Sequence, residues 1–177
     1  DNNDISQDNY LMSIYIEKYK YNYKELSAAG ITIINVSTGI NKICSINPKY
    51  EDIYHTDNEI RRLIAYFNPK EILIHTEGFK LSNDDIIQKY DVFHNNIFIN
   101  HFSEKNIFKQ KNYQNELLQK VFNFESQNSP IIELNLERRE ETLLSYIYML
   151  EYIYEHKISL IENIFLPEEI DDDNFLL

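Results

Sequence analysis

Gly30 to Ile46, GITIINVSTGINKICSI, is the stretch on which the reading of this chain turns. It divides into two apolar runs, Ile31 to Val36 and Lys42 to Ile46, folded back on each other over Ser37-Thr38-Gly39. Ile31, Ile33, Ile34 and Val36 are β-branched and crowd both sides of a strand, so both of its faces are expected to be covered. Gly39 is one of three glycines in the chain. A residue without a Cβ suits the positive φ of a tight turn, which makes Gly39 the structural turn of a hairpin.

Outward from this hairpin, 177 residues leave room for one ordinary domain and part of another. A hydrophobic content of 43% with 14% aromatics is enough to build a core. The densest apolar stretch, Leu143 to Ile153, is too short to span a membrane, and no basic-then-apolar leader opens the chain. Cys44 is the single cysteine and, lying in a strand, reads as a small packing residue. The net charge is −12, and from Ser129 onward 12 Asp and Glu stand against 3 Lys and Arg. A surface that grips phosphates needs clustered cations, so this balance argues against direct DNA binding. Lys105, Lys109 and Lys111 read as solvated helix charges. The fourteen tyrosines read as core and interface packing, for want of basic residues between them.

In chain order, residues 1–8 form a polar linker and Tyr10 to Glu17 a first strand. That strand carries Leu11, Ser13 and Tyr15 on one side and Met12, Ile14 and Ile16 on the other. Lys18 to Ala29 reads as a long connection. After the hairpin, Thr56 with Glu59 suggests a capping box, and Ile60, Leu63, Ile64 and Phe67 share one helical face. Glu71 to His75 is a short buried strand, Ser82 caps a second helix bearing Ile86, Ile87 and Tyr90, and Ile97 to Asn100 is a fifth strand. Residues Ile107 to Phe124 are helical, and Leu134 to Ile153 reads as one long helix. Its apolar stripe is wider than the preceding domain can cover, with Glu141, Ser145, Tyr152 and Glu155 on its wetter side.

Three strands, then helix, strand, helix, strand and helix, imply an α/β fold. The order is that of a ribonuclease H-like mixed five-stranded sheet with helices on both faces, over residues 9–128. Residues 129–177 are then the start of a second, helical domain cut from a longer protein. A nuclease on this fold needs carboxylates converging on divalent metal ions, one of them in the middle of the first strand. Tyr10 to Ile16 offers only Ser13 and Tyr15, with Glu17 at the edge, and the second strand carries the amide Asn35. His55, His75, His94, His101 and His156 lack metal-ligand spacing, and no glycine-rich phosphate loop is present. No catalytic, metal or cofactor residue is therefore assigned.

Three blocks carry a family resemblance: Gln7 to Ile14 (QDNYLMSI), Gly30 to Gly39 (GITIINVSTG) and Phe67 to Ile74 (FNPKEILI). Together they resemble the connector domain of MutS mismatch repair proteins. Asn135-Leu136-Glu137-Arg138 and the helix after it resemble the passage from connector to helical core. The wording of this tail is closest to the lineage of giant viruses and coral mitochondria. The resemblance implies a fragment that is not itself an enzyme and binds no cofactor. Its role would be to link mismatch recognition to an ATPase that uses ATP and Mg elsewhere in the chain. It further implies the rest of the MutS chain and a MutL-type protein as partners, mismatched DNA met only through other domains, and a full-length homodimer. The location implied is intracellular, in a virus factory, host cytoplasm or mitochondrion. Two departures stand out: Asn35 where many members have Asp, and a longer Lys18 to Ala29 connection.

On the helix from Asn112 to Phe122, Leu117, Leu118, Val121 and Phe122 are expected to face inward. Gln114, Asn115, Glu116 and Gln119 would then face outward as a partner-binding surface rich in uncharged amides. Two other classes stay open: a metal-dependent ribonuclease H-like nuclease or resolvase, and an interaction module unrelated to repair.

Overall fold

A computed structural model of the protein describes residues 9–92, 98–101 and 106–171. The linker 1–8, Ile97, His94, Lys105 and the end of the tail (172–177) lie outside the described residues. Six strands form one sheet in the order β5-β4-β1-β2-β3-β6. They are β1 (Tyr10–Tyr21), β2 (Lys24–Asn35), β3 (Asn41–Ile46), β4 (Glu71–Glu77), β5 (Phe98–His101) and the two-residue β6 (Glu168–Glu169). β1, β2 and β3 form an antiparallel meander, and β4 and β5 add in parallel beside β1. This is the ribonuclease H-like mixed sheet, with β6 added in parallel at the β3 edge.

Helices cover both faces. Met12, Ile14, Ile16, Ile31, Ile33, Ile72 and Ile74 pack with Ile60, Leu63 and Ile64 of α1 (His55–Phe67) and Ile86 and Tyr90 of α2 (Asn83–Tyr90). On the opposite face Leu11, Tyr15, Ile34, Ile43 and Leu73 pack with α3 (Lys111–Phe122) and α5 (Glu140–His156). Cys44 is half-buried in β3 against the first of these cores.

Several expectations are corrected. The Lys18 to Ala29 connection is strand: Tyr21 pairs with Lys24 across a two-residue turn, with Asn22 at φ 47 and Tyr23 at φ 67. Two residues at positive φ match the twist of a hairpin, and the Asn22 signal lacked its usual glycine partner. Thr56 does not cap α1; it is buried and donates to the Ser27 carbonyl at 2.5 Å, while Glu59 pairs with Arg62. Ser82 and Asp85 form the capping box of α2.

The long helix is also shorter than expected. A single turn, α4 (Pro130–Glu133), is capped by Ser129, and the chain reverses through Asn135 (φ 56) before α5 starts at Glu140. Ser145 is fully buried, not on a wet side. Leu143, Leu144, Ile147, Leu150 and Ile153 share one core with the sheet, so α5 is covered by the preceding strands and the packing shows no boundary at Ser129.

α5 reaches the sheet because of the opening stretch. A Cβ on Gly30 would lie 2.2 Å from the backbone of Glu141, so only glycine lets the first turn of α5 lie against β2. Gly39 has φ 83 in the turn, and its carbonyl accepts from Phe165 N at 3.1 Å. Asn35 holds the same turn, accepting from Ser37 N at 3.0 Å.

Candidate functional site

β1 and β4 run side by side in register, and the row of residues facing α5 is Leu11, Ser13, Tyr15 and Glu17 on one strand. Leu73, His75 and Glu77 are their neighbours on the other. Glu17 and Glu77 are direct register partners, which sets their backbones about 5 Å apart. Since β1 continues to Tyr21, Glu17 sits inside the strand and not at its edge. The first turn of α5 brings Glu140 and Glu141 to the same place, as the close contact at Gly30 requires.

The electrostatics follow from this crowding. Burial first, then the negative charges of Glu141, Glu77 and Glu140, raise the Glu17 carboxyl above its ordinary value of 4.5, and Glu17 shares a hydrogen bond with Glu141. Glu77 is the opposite case: the hydrogen bond from Lys109 at 2.6 Å, then that from Tyr15, lowers its carboxyl. Burial and that same contact raise the Tyr15 phenol. Below it, Tyr15 stacks on His75 at 5.0 Å, and His75 on Tyr148 at 4.9 Å. The result is a carboxylate cluster resting on a rigid aromatic floor. In this arrangement it does not fit a metal ion. Glu77 is occupied by a lysine and a phenol, and among the described residues no group of three or more His, Cys, Asp or Glu is placed to hold one.

Sequence reasoning set Glu17 aside, placed Glu141 on a wet helix face, read Lys109 as solvated and did not name Glu77 or Glu140. The signal that would have found the cluster is the odd-numbered row of β1, once that strand is allowed to run past Glu17.

The expected partner surface on α3 divides. Gln114 is 2% exposed and donates to the Phe108 carbonyl at 2.6 Å, so it faces the core. Asn115 is half-buried and accepts from Ile131 N at 3.0 Å, tying α3 to the α4 turn. Glu116 and Gln119 are exposed. Leu117 and Leu118 are buried, with Val121 and Phe122 partly so. Beside Glu116 lies a groove of 250 Å³ between α3 and α5, lined by Tyr113, Leu117, Lys120, Glu151 and Tyr154.

No family model matches the sequence. The chain is 31% identical over 188 residues to a protein of Acanthamoeba polyphaga mimivirus described as a DNA mismatch repair mutS homolog. The match covers 93% of this chain and 16% of that relative's length. The chain is thus related in sequence to a MutS homologue and spans about one-sixth of it. Among solved structures it is similar to the fowlpox virus Holliday junction resolvase: 14% identity, 82% of this chain, 99% of that one, TM-score 0.43. It is also similar to Thermus thermophilus RuvC with a Holliday junction substrate: 8% identity, 84% and 96%, TM-score 0.45. The expectation that this chain is not an enzyme is corrected. The solved structures it matches are of Holliday junction resolvases. Glu77, Glu140 and Glu141 do lie near enough to Glu17 to raise its carboxyl, a grouping the sequence reading did not anticipate. No helix among the described residues is long and apolar enough to cross a membrane.

Proposed function

We propose that the chain is the ribonuclease H-like connector of a MutS-related DNA repair protein, joining the parts on either side of it. The observation that carries this reading is the sequence match over nearly the whole chain to a mimivirus mutS homolog. The fold suits the role. A sheet buried on both faces, with α5 packed across β1, β2 and β3, suits a part that passes a displacement from one end to the other. The exposed side of α3, Glu116 and Gln119 beside the groove with Lys120, is the surface we assign to a MutL-type partner. Gln114 and Asn115 support it from within. ATP, Mg and the mismatched duplex would be met elsewhere in the longer chain.

The test is made in the full-length protein. Glu116→Lys with Gln119→Lys reverses the charge of this face without touching the core. Recruitment of a MutL-type protein should fall at least tenfold, with mismatch binding unchanged. Unchanged recruitment removes α3 as the docking face.

A second reading, a nuclease or resolvase on the same fold, is favoured by the convergence of Glu17, Glu77, Glu140 and Glu141. A metal ion there would compete with the Lys109 ammonium, which together with the Tyr15 hydroxyl holds Glu77 through Oε2. Incubation with labelled duplex, hybrid and four-way-junction DNA in Mg²⁺ or Mn²⁺ separates the readings. Cleavage abolished by Glu17→Gln would establish the second.

A further inference from the structure

The negative charge of the chain is interrupted at Lys18 to Lys24 as well as at Lys105 to Lys111. From Lys18 to Lys24 the sequence runs Lys-Tyr-Lys-Tyr-Asn-Tyr-Lys, with no acid inside it and Glu17 and Glu25 closing it at either end. The fold makes this run the tip of the β1–β2 hairpin. It projects past the carboxylate cluster, Tyr21 standing about 13 Å beyond Glu17 at some 3.3 Å per residue. Here the tyrosines do alternate with lysines, contrary to the reading from composition. Tyr21 is 55% exposed and Tyr23 completely so.

Two features separate this tip from an ordinary solvated turn. Tyr23 stands at φ 67, where glycine is favoured and a side chain presses its Cβ against the backbone. No ring contact or hydrogen bond of its side chain among the described residues offsets that strain. The tip is also braced. Tyr50 meets Tyr21 edge-on at 5.9 Å, and the Lys24 ammonium lies 4.2 Å over the Tyr50 ring while donating to the Tyr50 carbonyl at 3.0 Å. A strained, bare aromatic on a braced support is held out for something to stack on it.

We propose that the hairpin tip binds single-stranded nucleic acid, with Tyr21 and Tyr23 stacking on unpaired bases and Lys20 and Lys24 beside the phosphates. Every base offers a π-face to a phenol ring, but a duplex hides those faces, which selects the single strand. The lysines supply the local positive charge, and the acidic surface elsewhere keeps the strand from settling at other places. A protein partner could also cover two tyrosines, but Lys20 and Lys24 beside them match a polyanion better, Lys18 being paired with Glu25 at 3.3 Å. This inference does not rest on either reading of the function; it places the strand at the tip whether or not the chain cuts.

The test measures fluorescence anisotropy of a labelled oligothymidine and of a duplex of equal length, with the intact chain, from low salt upward. The single strand should bind more tightly, its log affinity falling against log salt with a slope of about −1.4 for the two phosphates beside Lys20 and Lys24, at about 0.7 each. Tyr21→Ser with Tyr23→Gly should weaken this binding at least tenfold. Lys20→Gln with Lys24→Gln should remove most of that slope. Tyr23→Gly alone should weaken binding and raise the melting temperature, because it releases the positive-φ strain. A structural tyrosine would do the reverse, so a lowered melting temperature overturns the proposal. So does equal affinity for duplex and single strand, binding unaffected by the tyrosine changes, or a loss confined to a MutL-type protein.

Discussion

On the face of the sheet under α1 and α2, β1, β2 and β4 present Met12, Ile14, Ile16, Ile31, Ile33, Ile72 and Ile74, all apolar. On the face under α5, polar side chains alternate with the apolar ones, and several of them bond to a partner on the helix or beyond it. Thr32 bonds Ser145 at 2.7 Å, Ser45 bonds Thr142 at 2.5 Å, and the Tyr146 hydroxyl donates to Asn41 at 2.8 Å. Asn41 in turn donates to the carbonyls of Gly39 and Phe165. Arg139 donates to Ser45 and pairs with Glu169, closing β6 onto the edge. A dry face is held by area alone and tolerates sliding; a face with matched polar pairs fixes where the helix lies. That difference explains how the first turn of α5 is delivered to Glu17 and Glu77 rather than one turn away.

The comparison can be broken most directly on the dry face. Ile72 is completely buried, and Ile72→Ala should cost about 2–5 kcal/mol, with Ile33→Ala similar, read by denaturant unfolding. A loss below about 1 kcal/mol at both would mean that area is not what holds this face.

The next effect belongs to the seated face. Gly30→Ala puts a methyl group 2.2 Å from the backbone of Glu141, where no side-chain rotation can relieve it. The first turn of α5 must lift, at a cost of about 1–3 kcal/mol. Lifting Glu140 and Glu141 also relaxes Glu17, so its carboxyl, followed by NMR, should titrate closer to its ordinary value. Unchanged titration would show that the acids are not brought together by this contact.

How far the sequence could be read follows the same division. The Ile-rich rows of β1, β2 and β4, the face of α1 and the cap at Ser82 were legible, because apolar periodicity and local hydrogen bonding suffice to specify them. The seated face was not. Ser145 on a helix and Thr32 in a strand are each read as tolerable exceptions, and nothing local shows that they bond each other across 113 positions. The width of the α5 stripe was visible, yet it was assigned to a missing domain. The sheet's free face is shared between α3 and α5, which only the three-dimensional order reveals. Gln114 failed for a like reason: its carbonyl partner, Phe108, lies in a 3₁₀ turn before the helix begins. Of the carboxylate site, Glu17 was seen and discarded, since a strand ended too early leaves its last acid at an edge.

A smaller effect tests the polar seam itself. Tyr146→Phe removes the donor to Asn41 inside a buried site and should cost about 1–3 kcal/mol, the penalty for leaving an amide oxygen unmatched. Combined with Asn41→Leu, which by itself also removes the donor to the Gly39 and Phe165 carbonyls, the cost should be less than the sum of the two single changes; a strictly additive pair would mean that the contact is not a unit.

The smallest effects are expected where the two acids at the end of the seated face carry opposite shifts. Both are partly solvated, so water screens them and only their signs are firm expectations. Glu77 has a lowered carboxyl, so the unfolded chain holds more proton just below 4.5. Its contact with Lys109 therefore stabilises the fold above that value and is lost as pH falls through the lower, folded value. Glu17 has a raised carboxyl, so the folded chain holds more proton just above 4.5, and stability declines as pH rises through that window. At neutral pH, Glu77→Gln should lower the melting temperature and Glu17→Gln should raise it. Each difference from the parent should vanish below both carboxyl values. If Glu17→Gln destabilises at neutral pH instead, its hydrogen bond with Glu141 outweighs the repulsion, and the cluster is a structural clasp in place of a strained set of acids.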